Sequence, residues 1–559
     1  MGLPVPPRAS LGVMHRPMKR EPTALADTTF DVLVVGGGIV GSCVAWDAAL
    51  RGLRVALVER DDFCAGTSWN SLKTIHGGLR SLQNLDVKRV REISRERAAW
   101  LRIAPHLVEP LPVVLPTYRW GVQSRAALRV ALGLYDALTF DRNAGQLPDR
   151  QLPRSRLLSR AEALALAPEL EDRALTGGAL FYDAQAYSPE RLVLEVLRAA
   201  AAAGAVVANY VEVEAGVRAA GRIVGVRARD VIGRDAFEVR ARTIVNAAGP
   251  AAAEVVARVL GSPLRPPIEY CLALNFVLRG GAPRVAFAAP VRTAEVATGL
   301  GGMRQLFFAP WRGHALVGTA HQTYSGPLER LRLEEANVQR FLEEVDRARL
   351  ARRFSREEIV LVHAGLVPVR RRGPDAAPRF LRGPMIIDHA ADGAPEAITL
   401  QSGKLTTARL LAELAVDRVV AKLGVRAGPC RTAWTPLPGA PAQPVRDLIA
   451  SARRAAGSTV ELDVLDHLVR TYGSAYSQVL QGYRDVPGWD ARLCPDAPVI
   501  GAQAVRAVRE EMAQCLDDVL WRRTELGARG LVTPEVRART LALLGAELGA
   551  KRIELGAPA

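Results

Sequence analysis

The sequence predicts an α/β fold in three parts: a doubly wound sheet domain, a mixed β-sheet domain inserted into it, and a helical C-terminal domain. Three observations predict this arrangement. A glycine-rich turn joins two buried strands near the N-terminus, a second apolar strand ending in small residues lies far along the chain, and helical composition follows a proline-rich connector. Strands alternating with helices are typical of parallel sheets covered by helices.

The composition excludes several classes of protein. Hydrophobic residues make up 49% of the 559 positions and charged residues 24%, as in ordinary soluble globular chains. No stretch approaches the roughly 20 consecutive apolar residues that a membrane-spanning helix needs. Disordered, fibrous and transmembrane classes are therefore excluded.

A formal net charge of +16 is compatible with binding to nucleic acid, to a membrane surface or to an anionic ligand. Basic and acidic residues balance from residue 441 onwards, so the excess lies in residues 1–440. Arginines are scattered and aromatic residues amount to only 5%, which argues against nucleic-acid binding. We interpret most of the excess as a solvated basic surface.

The cysteines and the N-terminus carry no recognised site. The six cysteines are far apart with no C-x-x-C spacing, so we expect reduced, mostly buried thiols and no metal centre. Residues 1–28 are basic and rich in proline but lack an apolar segment of the secretory type. We expect a disordered basic tail there, with an organelle transit peptide as the alternative.

A strand, a glycine turn, a helix and a second strand follow one another from residue 30. Residues 30–35 and 54–59 are β-branched apolar runs typical of buried parallel strands. Between them lie G-G-G-I-V-G at 36–41 and a helical segment at 42–51. This order is that of a Rossmann-type βαβ unit.

The residue types at this turn suit a dinucleotide. Gly36 allows the tight turn, Gly38 lets the backbone approach a pyrophosphate, and Gly41 lets the helix pack close to the strand. The helix N-terminus offers free N–H groups to phosphates. Glu59 ends the second strand, where we expect it to accept hydrogen bonds from the ribose hydroxyls of the adenosine.

A second half of the same domain is predicted after residue 188. Ser188 and Pro189 begin a helix that we expect to end near Gly204, and strands are predicted at 206–213 and 221–239. The apolar run 242–249 ends in small residues and Gly249, which suits a strand passing beneath a cofactor. This favours FAD in an interrupted Rossmann domain over NAD, with a plain strand end as the alternative.

The remaining chain divides at a proline-rich connector, residues 430–444. Between 265 and 382 short strands, turns and one charged helix, at about 333–351, predict a mixed sheet that covers the cofactor. We therefore divide the chain into the tail 1–28, an FAD-dependent oxidoreductase region 29–440 and a helical domain 441–559.

Three segments carry chemistry beyond the nucleotide turn. Residues 67–80, T-S-W-N-S-L-K-T-I-H-G-G-L-R, combine hydroxyls for pyrophosphate or ribityl oxygens with His76 and Arg80, a titratable group and a fixed cation. Residues 365–372 end in three consecutive arginines, and Arg382 follows ten residues later. Residues 402–409 place Lys404 at the beginning of a helix, where a reduced flavin could be stabilised.

These segments resemble one family. The glycine fingerprint, T-S-x-x-S-x-K-x-I-H-G-G-L-R, A-P-H-L at 104–107, V-N-A-A-G-P at 245–250, G-K-L-T-T at 403–407, P-L-P-G at 436–439, R-T-Y-G-S at 470–474 and L-W-R-R-T at 520–524 are similar to motifs of the FAD-dependent glycerol-3-phosphate dehydrogenases. The resemblance extends in order from residue 31 to about residue 548.

The resemblance implies the fold described above, FAD as cofactor, and oxidation of sn-glycerol 3-phosphate to dihydroxyacetone phosphate with quinone as electron acceptor. It also implies a cytoplasmic protein held peripherally at the cytoplasmic membrane, and it is compatible with a homodimer.

Site residues follow from the matching positions. The resemblance places His76, Arg80, Arg382 and Lys404 in the catalytic site. His76 is the first candidate for the base that takes the hydroxyl proton and Lys404 the second, although His76 could be structural and Lys404 purely electrostatic. The cofactor-binding positions are Gly36, Gly38, Ile39, Val40, Gly41, Glu59, Thr67, Ser68, Ser71, Gly78, Leu79, Val211, Gly249, Leu405 and Thr406.

The sequence departs from the family pattern at four active-site positions. Val367 stands where the family has an arginine, Ser81 where it has an aromatic residue, His321 where it has an acid, and Leu274 where it has a histidine. Two alternatives follow. The enzyme could act on another hydroxy or amino substrate or use oxygen as acceptor, or the protein could bind flavin without catalysis.

Overall fold

The computed structural model of the chain describes residues 17–119, 121, 123–170, 174–292, 303–328, 331–348, 350–370, 379–381, 383–456 and 460–548. Within them the α-helices are α1 Thr23–Ala26, α2 Ile39–Leu50, α3 Val87–Ile103, α4 Arg125–Leu138, α5 Arg160–Leu166, α6 Pro189–Ala202, α7 Ala252–Leu260, α8 Glu335–Asp346, α9 Ala408–Leu423, α10 Val445–Ala456, α11 Leu462–Tyr472, α12 Tyr476–Gln481, α13 Gly501–Glu510 and α14 Pro534–Leu548.

The strands of the same part of the chain form two sheets. They are β1 Thr29–Val35, β2 Val55–Val58, β3 Thr74–Ile75, β4 Val108–Thr117, β5 Arg156–Leu158, β6 Gly177–Ala186, β7 Val206–Ala208, β8 Val211–Ala219, β9 Arg222–Asp230, β10 Ala236–Asn246, β11 Glu269–Gly281, β12 Ala286–Arg292, β13 Met303–Trp311, β14 His314–Thr323, β15 Ile359–Arg370, β16 Arg379–Phe380, β17 Met385–Asp388 and β18 Ala397–Gln401.

The first sheet is the doubly wound one. Strands β18, β10, β1, β2 and β7 run parallel in that order, β17 is antiparallel to β18, and the β8–β9 hairpin pairs with the N-terminal half of β10. Helices α2, α6 and α9 pack together on one face. Val35 pairs with both Val58 and Asn246, so the carboxyl ends of the central strands meet at one edge, where such sheets bind ligands.

The predicted βαβ unit and the helix after Ser188 are confirmed, whereas the strand predicted at 206–213 is divided into β7 and β8, and the strands predicted at 221–239 and 242–249 are β9 and the single longer β10. The apolar runs around the glycine turn form β1 and β2, which are buried on both faces as parallel strands are. The Ser188 side chain accepts a hydrogen bond from the Arg191 N–H at the start of α6, with Pro189 in its first turn. The charged helix predicted at 333–351 is the shorter α8.

The second sheet is mixed, as predicted, but its strands come from two stretches of chain. Its order is β16, β15, β11, β14, β13, β12, β4, β6, β3, with β5 on β6, and β12–β4 is a parallel pair among antiparallel ones. Strands β3 to β6 lie in residues 74–186, for which the sequence patterns predict no strands. Helix α8 covers one face, where Phe341 lies with its ring centroid 4.2 Å from that of Phe276.

Helices α10 to α14 and a π-helix, Asp518–Arg523, form the helical C-terminal part, which has its own apolar core. Within the residues that the structure describes, no helix has both the length and the apolar character needed to cross a membrane.

The N-terminal tail differs from the expectation of disorder where the structure describes it. Leu25, in α1, is fully buried, and the Arg20 guanidinium binds the Asp230 carboxylate at 2.6 Å. The Met18 N–H donates to the Glu510 carbonyl oxygen. Residues 17–28 are therefore anchored by contacts with distant segments, which local composition does not reveal; residues 1–16 lie outside the described part.

Buried ion clusters join the C-terminal part to the first sheet. Asp62, which follows β2, accepts hydrogen bonds from Arg522 at 2.5 Å and from Arg523 at 2.7 and 2.8 Å. Glu511 accepts from Arg191 of α6 at 2.7 Å and also from two further arginines, Arg198 and Arg506. Although burial alone would raise the pKa values of both carboxyl groups, the arginines lower them to about 2. Both groups are therefore charged at neutral pH.

We predict that Glu511→Gln lowers the free energy of unfolding at pH 7 by about 3 kcal/mol, because removing one partner leaves buried charges uncompensated. The Glu511 contribution is present above the ordinary glutamate pKa of 4.5 and is lost as pH falls towards 2. Thermal unfolding at pH 7 and pH 3 measures this. Glu461→Gln, which breaks an exposed ion pair with Arg492, is the control and should cost under about 1 kcal/mol. Equal losses in the two variants would contradict the prediction.

Candidate active site

A cavity of about 2850 Å³ lies where the carboxyl ends of β1, β2 and β10 face the second sheet. Pockets for single small molecules usually measure about 300–1,000 Å³, so this cavity has room for a dinucleotide and a substrate. Three residues of the C-terminal part, Cys515, Asp517 and Arg522, also line it. Both sheets and the helical part therefore build the site.

The glycine turn requires glycine for steric reasons. Gly36 has φ +114°, a conformation that side chains disfavour, and a Cβ there would lie 2.6 Å from the Ala247 carbonyl oxygen. A Cβ on Gly41 would collide with the Gly36 carbonyl oxygen. Gly38 lines the cavity at the start of α2. This cradle of closely packed backbone fits a bound pyrophosphate.

Glu59 closes the same end of the cavity. Its carboxylate accepts hydrogen bonds from the Gly37 N–H at 2.6 Å and from the Asp61 N–H at 3.0 Å. Burial and the charge of Asp61 raise the pKa of Glu59 to about 7. The group is therefore held beside the glycine turn, where it can donate as well as accept hydrogen bonds near neutral pH.

The hydroxyl-rich segment connects the two sheets. The Ser68 Oγ accepts a hydrogen bond from the Ile39 N–H at 3.1 Å, which places it at the N-terminus of α2. The Thr67 hydroxyl lies 3.3 Å from the Leu366 N–H and 3.4 Å from its carbonyl oxygen, in β15. Ser71 also lines the cavity. These hydroxyls follow the path from the glycine turn towards His76.

His76 is oriented by a buried carboxylate. Its Nδ1 lies 3.2 Å from Asp183 Oδ2, and its backbone N–H donates to the Thr406 hydroxyl at 3.1 Å. The other Asp183 oxygen accepts from the Gly77 N–H at 2.6 Å and from Arg97 at 3.1 Å. Although burial alone would raise the Asp183 pKa, bonds to His76, Arg97 and Gly77 lower it. A charged Asp183 favours the tautomer with the proton on Nδ1, which leaves the lone pair on Nε2.

The side chains packed around Asp183 explain why position 77, the first glycine of H-G-G, must be glycine. A Cβ on Gly77 would overlap the Tyr135 hydroxyl and the Arg97 guanidinium. Arg97 is fully buried, and it lies over the Tyr135 ring at 5.9 Å. Neither Asp183 nor Arg97 belongs to a motif that predicts a site residue. A lone acid inside the apolar run 177–186 was the available signal for Asp183.

Among the cationic side chains that line the cavity, four are linked by the effect of one charge on the pKa of another: Arg80, Arg89, Arg304 and Lys404. Lys404 is open to cavity solvent, yet surrounding protein and the charges of Arg89 and Arg80 lower its pKa to about 8 against the opposing effect of Asp183. Burial and the charge of Arg304 lower the pKa of Arg80. Cations that destabilise one another favour an anion between them.

Arg304, in β13, is a cavity residue that the motifs did not indicate. Its guanidinium donates to Glu344 of α8 and to the Thr319 carbonyl oxygen, each at 2.5 Å. Burial, Arg304 and Arg80 together lower the pKa of His321 to about 3, so that this imidazole is neutral at physiological pH. His321 packs edge-on against Phe380 with ring centroids 4.6 Å apart.

The structure brings most predicted residues to this one cavity. Gly41 supports the turn from behind, and Arg382 lies outside the described residues. The predicted residues that line the cavity are Gly36, Gly38, Ile39, Val40, Glu59, Thr67, Ser68, Ser71, His76, Gly78, Leu79, Arg80, Val211, Gly249, Lys404, Leu405 and Thr406.

Of the four residues that depart from the family pattern, three line the cavity and one does not. Ser81, His321 and Val367 line the cavity. Leu274 does not: it is fully buried in the core between the second sheet and α8, whereas its neighbours Ala273 and Asn275 line the cavity. Its assignment to an active-site position is therefore wrong, because side chains alternate between the faces of a strand.

Comparison with known proteins agrees with this architecture. The family model of FAD dependent oxidoreductases matches residues 31–418, and the model of the C-terminal domain of alpha-glycerophosphate oxidase matches residues 430–554. A glycerol-3-phosphate dehydrogenase of Synechocystis is 34% identical over 507 residues, 90% of each chain. The mitochondrial glycerol-3-phosphate dehydrogenase of Mus musculus is 32% identical over 96% of this chain and 74% of its own.

A solved structure, the glycerol-3-phosphate dehydrogenase from Bacillus halodurans complexed with FAD, superposes with a TM-score of 0.69 over 96% of this chain and 97% of its own. Its identity of 24% supports the fold alone. The chain thus belongs to the FAD-dependent oxidoreductases and, among them, to the FAD-dependent glycerol-3-phosphate dehydrogenase family. It is an enzyme whose cofactor is FAD.

We predict that Gly41→Ala abolishes FAD retention, because the new Cβ would push the Gly36 carbonyl out of the turn. The measurement is the ratio of flavin absorbance to protein after gel filtration, expected to fall at least tenfold. Gly133→Ala, also in a helix but with open space around the position, is the matched control and should retain FAD fully. Normal FAD content in Gly41→Ala would refute this account of the turn.

Proposed function

We propose that the protein oxidises sn-glycerol 3-phosphate to dihydroxyacetone phosphate and passes the electrons to a quinone. The observation that carries the proposal is the joint presence, in one cavity, of an oriented histidine–aspartate pair and a cluster of cations. A phosphorylated secondary alcohol needs both: cations for its phosphate and a base for its hydroxyl proton. Relatives over 30% identical carry the corresponding name.

We assign FAD binding to the cavity residues at the glycine turn, at Glu59 and along the hydroxyl-rich segment. When bound, FAD supplies the hydride acceptor for the reaction. The glycine turn and the N-terminus of α2 would hold its pyrophosphate, and Glu59 its adenosine ribose. The other proposed contacts are Ile39, Val40, Thr67, Ser68, Ser71, Gly78, Leu79, Val211, Gly249, Leu405 and Thr406.

We assign the binding of the substrate phosphate to Arg80, Lys404 and Arg304. Val367 removes the arginine that the family pattern has in β15, whereas Arg304 brings a guanidinium into the cavity from β13. The charge of Arg304 adds to burial in lowering the pKa of Arg80, so the two side chains repel one another. A phosphate dianion bound between them would relieve this repulsion. We place Arg382 among the catalytic residues from the family pattern alone.

We assign to His76 the role of base that accepts the hydroxyl proton of the substrate. As the C2–H bond of the substrate breaks with its electron pair, the O–H proton passes to His76 Nε2 and the C2–O bond becomes a carbonyl. The Asp183 carboxylate stabilises the resulting imidazolium through Nδ1–H. Lys404 then acts as a cation and does not accept the proton.

Anaerobic mixing of the oxidised holoenzyme with glycerol 3-phosphate tests the proposal. We expect the flavin absorbance to bleach with this substrate and not with glycerol. Arg80→Gln should raise the apparent dissociation constant about 10- to 100-fold, since a charge-assisted contact is worth roughly 1.5–3 kcal/mol. Arg240→Gln, an exposed arginine in β10, is the control. Bleaching by another hydroxy or amino compound alone would favour the alternative substrate, and no bleaching by any compound a non-catalytic protein.

The choice of quinone rests on an apolar rim. Leu79, Leu82, Leu115, Leu128 and Ala131 line the cavity. Exposed apolar side chains also lie on the neighbouring segments of the chain around α3 and α4: Leu85, Val87, Val130, Leu134 and Phe140. Exposed apolar groups of this kind suit a lipophilic acceptor and peripheral contact with the cytoplasmic membrane. In a second mixing step, the reduced enzyme should reoxidise faster with a short-chain quinone than with oxygen; the reverse order would indicate an oxidase.

The pH dependence separates the two roles open to Lys404. If Lys404 acts as a cation, the second-order rate of flavin reduction falls by up to tenfold per pH unit above about 8, because the group then loses its proton. Stopped-flow profiles from pH 6 to 10 measure this, and Lys404→Arg should abolish the fall since arginine stays charged. A rate that rises through pH 8 would instead identify Lys404 as the base.

A further inference from the structure

The π-helix Asp518–Arg523 contains the two arginines of the L-W-R-R-T motif, and the proposed reaction makes no use of them. Helices of this type are rare and are frequently found at functional sites. Arg522 lines the large cavity, whereas the side chain of Arg523 is only 1% exposed and does not line it. Any effect of Arg523 on a ligand in that cavity is therefore indirect.

Both arginines hold the same carboxylate. Asp62 is fully buried, and it accepts one hydrogen bond from Arg522 at 2.5 Å and two from Arg523 at 2.7 and 2.8 Å. Its remaining donor is the side-chain amide of Asn209, at 2.9 Å. A buried carboxylate has no water to bind it, so the donors that surround it fix its position. Most of those that fix Asp62 come from the helical C-terminal part.

Asp62 lies in a loop, residues 59–64, that is bonded to the glycine turn on both sides of it. Before Asp62, the Glu59 carboxylate accepts a hydrogen bond from the Gly37 N–H at 2.6 Å. After it, the Cys64 N–H donates to the Gly37 carbonyl oxygen at 3.1 Å. The Phe63 ring packs so close that a Cβ on Gly37 would lie 2.7 Å from it. A displacement of Asp62 would therefore reach the turn that we assign to the pyrophosphate.

The turn between β7 and β8 connects the same loop to the same helix. The Tyr210 N–H donates to the Asp61 carbonyl oxygen at 3.0 Å, and the Val211 N–H donates to the Glu59 carbonyl oxygen at 2.7 Å. The Tyr210 hydroxyl donates to Asp518, the first residue of the π-helix, at 2.7 Å. The π-helix thus holds the 59–64 loop by two routes, one through Asp62 and one through Tyr210.

We propose that Arg522 and Arg523 are positioning residues for FAD, which hold the 59–64 loop against the glycine turn through Asp62. The helical C-terminal part then serves cofactor binding as well as the packing of the fold. A ligand binds more tightly to a site that is already fixed in the binding geometry, so a loosened loop weakens FAD binding even in a folded chain. The proposal rests on the placement of FAD proposed above and is independent of the substrate.

Arg506 provides a matched comparison within the same helical part. It lies in α13, its side chain is 2% exposed, and it donates to the Glu511 carboxylate at 3.1 Å. Its ion pairs in the described part of the chain are with Glu510 and Glu511, and it does not line the cavity. Both arginines are buried in ion clusters, but only Arg523 binds the 59–64 loop. A purely structural role would give the two arginines equal effects on FAD binding.

The dissociation constant of FAD tests the proposal without turnover. It is measured by diluting the full-length holoenzyme in steps and determining flavin in the ultrafiltrate, well below the melting temperature of each variant. We expect Arg523→Gln to raise the constant about tenfold or more, and Arg506→Gln to leave it nearly unchanged. Arg523→Lys keeps the charge but cannot form both hydrogen bonds with one planar group, so its constant should lie between those of the wild type and Arg523→Gln.

A double-mutant cycle with Asp62→Asn tests the route. If Arg523 acts through Asp62, Asp62→Asn/Arg523→Gln should bind FAD no more weakly than Asp62→Asn alone, whereas independent effects would multiply. Multiplied effects, or an equal loss of affinity in Arg523→Gln and Arg506→Gln, would overturn the proposal.

If Arg523→Gln does not fold, Arg523→Lys against Arg506→Lys decides by the same comparison, and unchanged FAD affinity in Arg523→Lys would then overturn the proposal. The Gly41→Ala variant described above tests the placement of FAD separately. Full FAD retention in Gly41→Ala would contradict the placement itself, whereas FAD loss in Gly41→Ala with normal affinity in the Arg523 variants would contradict only the role of the arginines.

Discussion

The Asp183 carboxylate is the constraint on which the active site depends. It is buried in the second sheet and it binds His76, the Gly77 N–H and the Arg97 guanidinium at once. Through it, the loop that follows the first domain's nucleotide-binding elements is fixed to a strand of the other sheet. This buried charge needs hydrogen-bond donors. Meeting that need orients His76 and brings Arg97 so close to position 77 that only glycine fits there.

The local parts of this architecture could be predicted from the sequence, and the reason is physical. The βαβ unit, the Ser188 cap and the packing of Gly41 against Gly36 depend on neighbours in the chain, so their signals lie in short windows. Asp183, Arg97 and Arg304 become site residues only through contacts between distant segments, which no spacing encodes. The error at Leu274 has the same origin, because an offset of one residue in a strand moves a side chain to the opposite face.

The residues that depart from the family pattern change which strands contribute positive charge to the cavity. Val367 removes a cation from one wall of the cavity, while Arg304 contributes one from β13 and is buttressed by Glu344 of α8. His321 stands between cations as a neutral group. Under the proposed function, the cavity would keep cations for an anionic group while placing one of them on β13 instead of β15.

The ion clusters of Asp62 and Glu511 bear on how the holoenzyme is made. Their arginine partners include Arg522 and Arg523, and Arg522 also lines the cofactor cavity. Until residues 515–523 have packed against it, the nucleotide-binding domain lacks the part of its cavity lining that they provide, and Asp62 lacks its two arginine partners. We therefore expect FAD to bind stably only after this helical part has packed against the nucleotide-binding domain.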